Sequence, residues 1–180
     1  MKQLVKFRKG LSLIELIISI TVISLAVFPL ITLFMQSNYR TLEVESISMA
    51  TFYAEELMEE IRSKSFDENS SSPWSGIPLG PETITLGLDQ ANLENNTDHN
   101  NWDDVDDYNG YVDFCNQQGV CGLTPSVYQR SVSVVYVELN GSSWQPAASP
   151  PTDFKQIKVL LSRTDGVFGG VDLDVLVSGY

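Results

Sequence analysis

The apolar and polar positions of this chain fall into three successive patterns. From residue 16 to residue 35 there are twenty residues without a charge. At about 1.5 Å per helical residue such a run covers roughly 30 Å, the thickness of a bilayer's hydrocarbon core. The second pattern is periodic: Ile47, Ala50, Ala54, Leu57 and Ile61 recur at spacings of 3, 4, 3 and 4, one stripe of a helix. Glu43, Glu45, Glu55, Glu56, Glu59, Glu60 and Arg62 take the other faces. Together the two patterns predict one helix over about residues 12–64, roughly 80 Å long. Pro29 removes one backbone hydrogen bond from it and is expected to kink or locally melt it. The stripe lasts about two heptads, fewer than the three or four a coiled coil needs, so it is expected to pack on the protein's own sheet.

The third pattern is of strands. Residues 65–81, rich in Ser, Pro and Gly, read as a linker, and residues 82–88 alternate as a strand does. Residues 89–110 are polar and acidic without periodicity, a long loop of the kind that tends to be functional. Three further runs predict strands: 128–139, where Val132, Val134 and Tyr136 alternate with Ser131, Ser133 and Val135; 154–163; and 171–178, with Asp172 and Asp174 facing out. A proline-bearing loop, 141–152, and a glycine-bearing turn, 165–170, separate them. One long helix followed by sequential strands predicts an α+β fold, an antiparallel sheet wrapped on the amphipathic half of the helix. No internal repeat is visible.

Charge changes the picture at both ends. Lys2, Lys6, Arg8 and Lys9 precede the apolar run with no acidic residue among them, which keeps the N-terminus cytoplasmic and exports the chain beyond residue 35. A secretory signal has an apolar region of only about 7–15 residues and ends at a small-residue site. Here the run is longer and is followed by Gln36-Ser37-Asn38-Tyr39-Arg40. A plain membrane anchor remains the simpler alternative, but it leaves Glu15, at the start of the run, unexplained. An acidic group at mid-bilayer costs roughly 2.5–3.5 kcal/mol, so an intramembrane charge marks a functional site. The natural compensator is a positive charge from another molecule. The whole chain carries a net charge of −12, and residues 11–180 alone, with 7 basic and 23 acidic residues, carry −16. Such a surface argues against nucleic-acid binding and invites cations or basic partners.

Lys9-Gly10-Leu11-Ser12-Leu13-Ile14-Glu15-Leu16 resembles the class III signal of type IV prepilins and of type II secretion pseudopilins. The resemblance implies cleavage between Gly10 and Leu11 by a prepilin peptidase, N-methylation of Leu11, and Glu15 as the fifth residue of the mature chain. Two positions depart from the family pattern. Leu11 stands where phenylalanine is usual, and the kink proline that would fall at Thr32 is displaced to Pro29. The implied organisation is a leader over 1–10, a helix over 11–64 that crosses the membrane at 16–35, and an exported domain over 65–180 with a type IV pilin-like fold. The implied partners are other pilins in a helical filament, an inner-membrane assembly platform and membrane lipid. In such a filament Glu15 of an incoming subunit pairs with the Leu11 amine of its neighbour. Two desolvation costs are offset and the axial register is set.

The acidic loop adds a second candidate. Asp103, Asp104, Asp106 and Asp107 repel one another unless a cation neutralises them, and hard oxygen ligands in a loop suit Ca²⁺. The register is not that of an EF-hand, because Gly110 falls late and no glutamate follows at the twelfth position. The competing reading makes them solvated loop charges capping turns, with Trp102 or Tyr108 packed on the sheet. Residues 103–111 also resemble a stretch of the MshD-like minor pilins of the mannose-sensitive haemagglutinin pilus. Cys115 and Cys121 enclose five residues and, in an exported domain, are expected to form a disulfide. With one histidine, His99, and no nucleophile constellation around it, an enzyme is not expected. The functional expectation is a minor pilin, a structural or assembly-priming subunit. The alternatives are a secretion pseudopilin and a Ca²⁺-dependent adhesive tip module.

Overall fold

The structure is a computed structural model that describes residues 12–68, 84–88, 101–122, 126–166 and 169–179. Gly10, Leu11 and His99 lie outside these residues. A single helix, α1, spans Leu13–Arg62, and the chain divides into two units, residues 1–44 and 45–180.

In the first unit every described residue is exposed. Its part of α1 is long and apolar enough to cross a membrane. The hydroxyls scattered through the apolar run do not break this character. Ser19, Thr21, Ser24 and Thr32 each donate to a carbonyl three or four residues back, at 2.7–2.8 Å. Polar groups satisfied inside the helix cost little in lipid, where no water replaces a missing partner. The expected local melting at Pro29 does not occur: the chain is helical on both sides of it, and Thr32 Oγ1 donates to the Pro29 carbonyl.

The second unit packs residues 45–62 of α1 on a five-stranded antiparallel sheet. The strands are β1 (Val112–Cys115), β2 (Tyr128–Asn140), β3 (Ser143–Pro146), β4 (Phe154–Arg163) and β5 (Val171–Ser178). Their order is β1-β2-β4-β5, and β3 pairs with the far end of β2. Period-two alternation sends Val132 and Val134 of β2 and Ile157, Val159 and Leu161 of β4 inward. There they meet Ala50, Ala54, Leu57 and Ile61 of the helix. Small alanines at two successive turns let the helix lie close to the strands. Asp172 and Asp174 of β5 point out, and Lys158 on β4 pairs with Asp172.

The observed elements depart from the sequence expectations in four places. The buried stripe of α1 starts at Ser46 and includes Tyr53 and Met58, while Ile47 is 39% exposed. Residues 84–88 form bends rather than a strand; residues 82 and 83 fall outside the described set. The supposed linker is not solvated at its start, because Ser65 bridges to Asp104 and Phe66 and Asp67 are buried. Two short strands, β1 and β3, were not expected. β3 arises from a two-residue turn at Gly141-Ser142, where Gly141 takes a φ of 67°, a conformation that favours glycine in tight hairpins. Its prolines at 146 and beyond had argued against a strand, but Pro146 sits at the end of β3, where a missing N–H does little harm.

Candidate functional site

Among the described residues, charge is concentrated in three places where burial or lipid makes it expensive. The first is Glu15, in the first turn of α1, with the apolar run beginning beside it. Its side chain is exposed, and its backbone carbonyl accepts from Ser19 Oγ. A carboxylate in a helix's first turn is favoured by the free N–H groups there. Beyond that local help, no described residue of residues 12–39 other than Glu15 bears a charge that could pair with it.

The second place is the acidic segment. Ser65 runs beside it, its N–H donating to the Asp103 carbonyl at 3.0 Å and its carbonyl accepting from Val105 at 2.9 Å. Asp107 Oδ2 accepts from the N–H groups of Asp103 and Asp104, at 3.0 and 3.2 Å. Asp104 Oδ1 accepts from those of Asp106 and Asp107, at 2.9 and 3.1 Å. The two carboxylates thus cap a turn that continues into a short 3₁₀ helix, Asp106–Tyr108. Trp102, Tyr108 and Tyr111 meet edge-to-face, with Trp102 4.8 Å from Tyr108 and 5.3 Å from Tyr111. The Tyr108 hydroxyl donates to Glu60 Oε1 at 2.8 Å, which ties the segment to α1.

Asp106 points the other way, into the protein. Its Oδ1 lies 2.6 Å from Lys155 Nζ, and Lys155 is 0% exposed. The same ammonium donates to the Phe66 carbonyl at 2.6 Å and lies 3.6 Å from Asp67 Oδ2. It sits over the rings of Phe66 and Tyr136, at 4.5 and 5.0 Å from their centroids. Tyr136 donates to Asp67 at 3.4 Å. A lysine side chain at an inward position of β4 has therefore gathered two carboxylates, one carbonyl and two aromatic faces. Sequence reasoning missed it. The only signal was Lys155 two residues before Ile157, on the same face of an alternating strand.

This geometry corrects the expectation of solvated loop charges: Asp104, Asp106 and Asp107 are buried, and only Asp103 is exposed. One oxygen each of Asp104 and Asp107 accepts from backbone amides, and Asp106 Oδ1 accepts from the Lys155 ammonium. Among the described residues, metal-capable side chains converge at Asp113, Cys115 and Cys121. The cysteines there are joined as a disulfide and have no thiolate to give.

Burial raises the Asp104 carboxyl, with Asp106 and Asp107 adding to it, to about 9. Burial likewise raises Asp106, with Lys155 opposing. A raised folded-state value means the folded chain holds the proton more tightly than the unfolded one. The stability from Asp104 is therefore fully present below about pH 4 and is lost as pH rises through about 9. Asp104→Asn keeps the acceptor for two N–H groups and removes the charge. It is expected to flatten the alkaline fall in melting temperature. An unchanged pH profile would show that Asp104 is not the group responsible.

A third cluster clamps β1 to the helix. Arg130 of β2 donates through Nε and Nη2 to Asp113 and through Nη1 to the Tyr53 carbonyl. The Cys115–Cys121 disulfide closes the loop after β1, and Tyr53 donates to the Gln117 carbonyl within it. Gly119, at φ +80°, faces the Tyr53 ring so closely that a Cβ would lie 2.4 Å from it. Replacing both cysteines by serine is expected to lower stability by roughly 2 kcal/mol, the closure entropy of so short a loop. The denaturation midpoint measures it, and no shift would mean that the other clamps already fix the loop.

No family model, no curated protein and no solved structure matches this chain. The class defined by the fold is an α+β protein with one long, apolar N-terminal helix packed, through its second half, on an antiparallel sheet.

Proposed function

We propose that the chain is a minor pilin, a structural or assembly-priming subunit of a type IV pilus of the mannose-sensitive haemagglutinin kind. It is cut between Gly10 and Leu11, methylated at Leu11, and inserted in the filament by helix packing. The observation that carries this reading is the uncovered apolar half of α1 with one carboxylate, Glu15, in its first turn. Within one subunit such a surface is covered only by lipid. In a helical filament it is covered by the same segment of neighbouring subunits, and Glu15 meets a neighbour's Leu11 amine. The folded unit then stays outside the inner membrane, attached through the polar stretch after Met35. A disulfide in that unit accords with an oxidising compartment.

A pseudopilus of a type II secretion system would use the same segment in the same way. Deletion of the gene separates the two: loss of surface pili supports the pilin, and retained pili with blocked protein export support the pseudopilin. The reading as a whole is tested by the N-terminus of the protein recovered from membranes. The expected result is N-methylated Leu11. A chain that still begins at Met1, or begins beyond Met35, overturns it.

A further inference from the structure

The Lys155 pocket has the geometry of an unreacted amide. An amine and a carboxyl group are held in contact, a second carboxylate is within reach of the amine, and water is excluded. Lys155, Asp67 and Asp106 are 0%, 1% and 3% exposed. Each arrives on a different segment: Lys155 on β4, Asp67 at the start of the helix-to-sheet connection, and Asp106 in the acidic turn. We propose that Lys155 and Asp106 join spontaneously as an intramolecular isopeptide bond, with Asp67 as the proton relay.

The chemistry balances without a co-reactant. An ammonium and a carboxylate buried together interconvert with amine and carboxylic acid by moving one proton along the 2.6 Å contact. In a pocket without water the neutral pair avoids the desolvation of two charges. The Lys155 Nζ lone pair then attacks Asp106 Cγ, forming the N–C bond. The proton that Nζ sheds passes to Asp67 Oδ2, 3.6 Å away. Asp67 returns it to the departing hydroxyl as the C–O bond breaks, so water leaves and Asp67 ends as it began. Nothing is oxidised or reduced.

Three features favour the forward direction. The Phe66 carbonyl accepts one Nζ proton at 2.6 Å and fixes the amine's orientation. The rings of Phe66 and Tyr136 lie over the nitrogen, 4.5 and 5.0 Å from it, and keep solvent from reversing the reaction. Tyr136 donates to Asp67 and orients the relay. Asp106 rather than Asp67 is the electrophile, because its oxygen is the one in contact. The product ties β4 to the acidic turn and closes a covalent loop over residues 106–155. The step needs no second molecule and does not depend on the filament reading.

The test is peptide mapping of the full chain, purified folded in detergent, digested after denaturation and reduction. The expected product is a branched peptide joining Lys155 to Asp106, lighter than its two parts by one water. Asp106→Asn should give the same linked product by loss of ammonia instead. Asp67→Asn preserves the shape and leaves Lys155 paired with Asp106. Without a relay, linkage in it should be roughly 100-fold slower or more. Separate, unmodified Lys155 and Asp106 peptides from the folded wild-type chain would mean a plain ion pair and overturn the proposal. So would linkage to Asp67, or undiminished linkage in Asp67→Asn.

Discussion

Glu15→Gln is expected to reach the membrane, to be cut after Gly10, and to be absent from filaments. The variant removes one charge and almost no volume, so the apolar packing surface of α1 is intact. On the proposed filament reading, what it loses is the counter-charge for a neighbour's N-terminal amine. In an apolar helix bundle an unpaired ammonium is strongly penalised, and breaking a buried pair by removing one partner costs about 3–5 kcal/mol. Repeated at every subunit contact, that penalty excludes the variant from a polymer while leaving the monomer stable in lipid. Indeed, an uncharged residue there makes insertion of the monomer easier. Glu15→Ala should behave alike, whereas Glu15→Asp keeps the charge and should retain part of the incorporation. Immunoblots of membrane and sheared filament fractions give the result directly. Normal incorporation of Glu15→Gln would remove the physical basis of the filament reading.

Lys155→Met should be the most destabilising single change in the folded unit. Methionine matches the length of the lysine stem, so little cavity opens, but Asp67 and Asp106 are left facing one another in a site with no exposed surface. The expected loss is about 3–5 kcal/mol, against a total of about 5–15 for a domain of ordinary stability. Chemical unfolding of the full chain in detergent, followed by near-ultraviolet circular dichroism of the Trp102–Tyr108–Tyr111 cluster, measures it. Adding Asp67→Asn and Asp106→Asn to Lys155→Met removes the buried charges and should restore a large part of the loss. Where the amide has formed, the triple variant recovers the ion-pair share and not the covalent closure. A loss under about 1 kcal/mol for the single variant would show that the pocket admits water and relaxes.

The sheet and the helix were legible in the sequence because both depend on short-range periodicity. The strands expected at 128–139, 154–163 and 171–178 match β2, β4 and β5 to within a residue. The outward aspartates of β5 result from alternation alone. The stripe of α1 was displaced because a helix meeting a twisted sheet contacts it along a wider band than five apolar positions define. Tyr53 and Met58 complete that band, and polar Ser46 enters it by accepting a hydrogen bond from Arg163. β1 escaped notice since four residues beside a cysteine loop carry too little pattern.

By itself the sequence determined the long helix, its uncharged half with a carboxylate at the start, the three main strands and the close pairing of two cysteines. Each is a matter of neighbours along the chain, where composition and spacing act directly. Only the tertiary structure decided how the charges of the acidic turn are held. Lys155 is 49 residues from Asp106 and lies in a strand, whereas Asp106 belongs to the 3₁₀ turn, so no local pattern joins them. Whether a charge is solvated, metal-bound or paired depends on what burial brings beside it, and burial is a property of the whole fold.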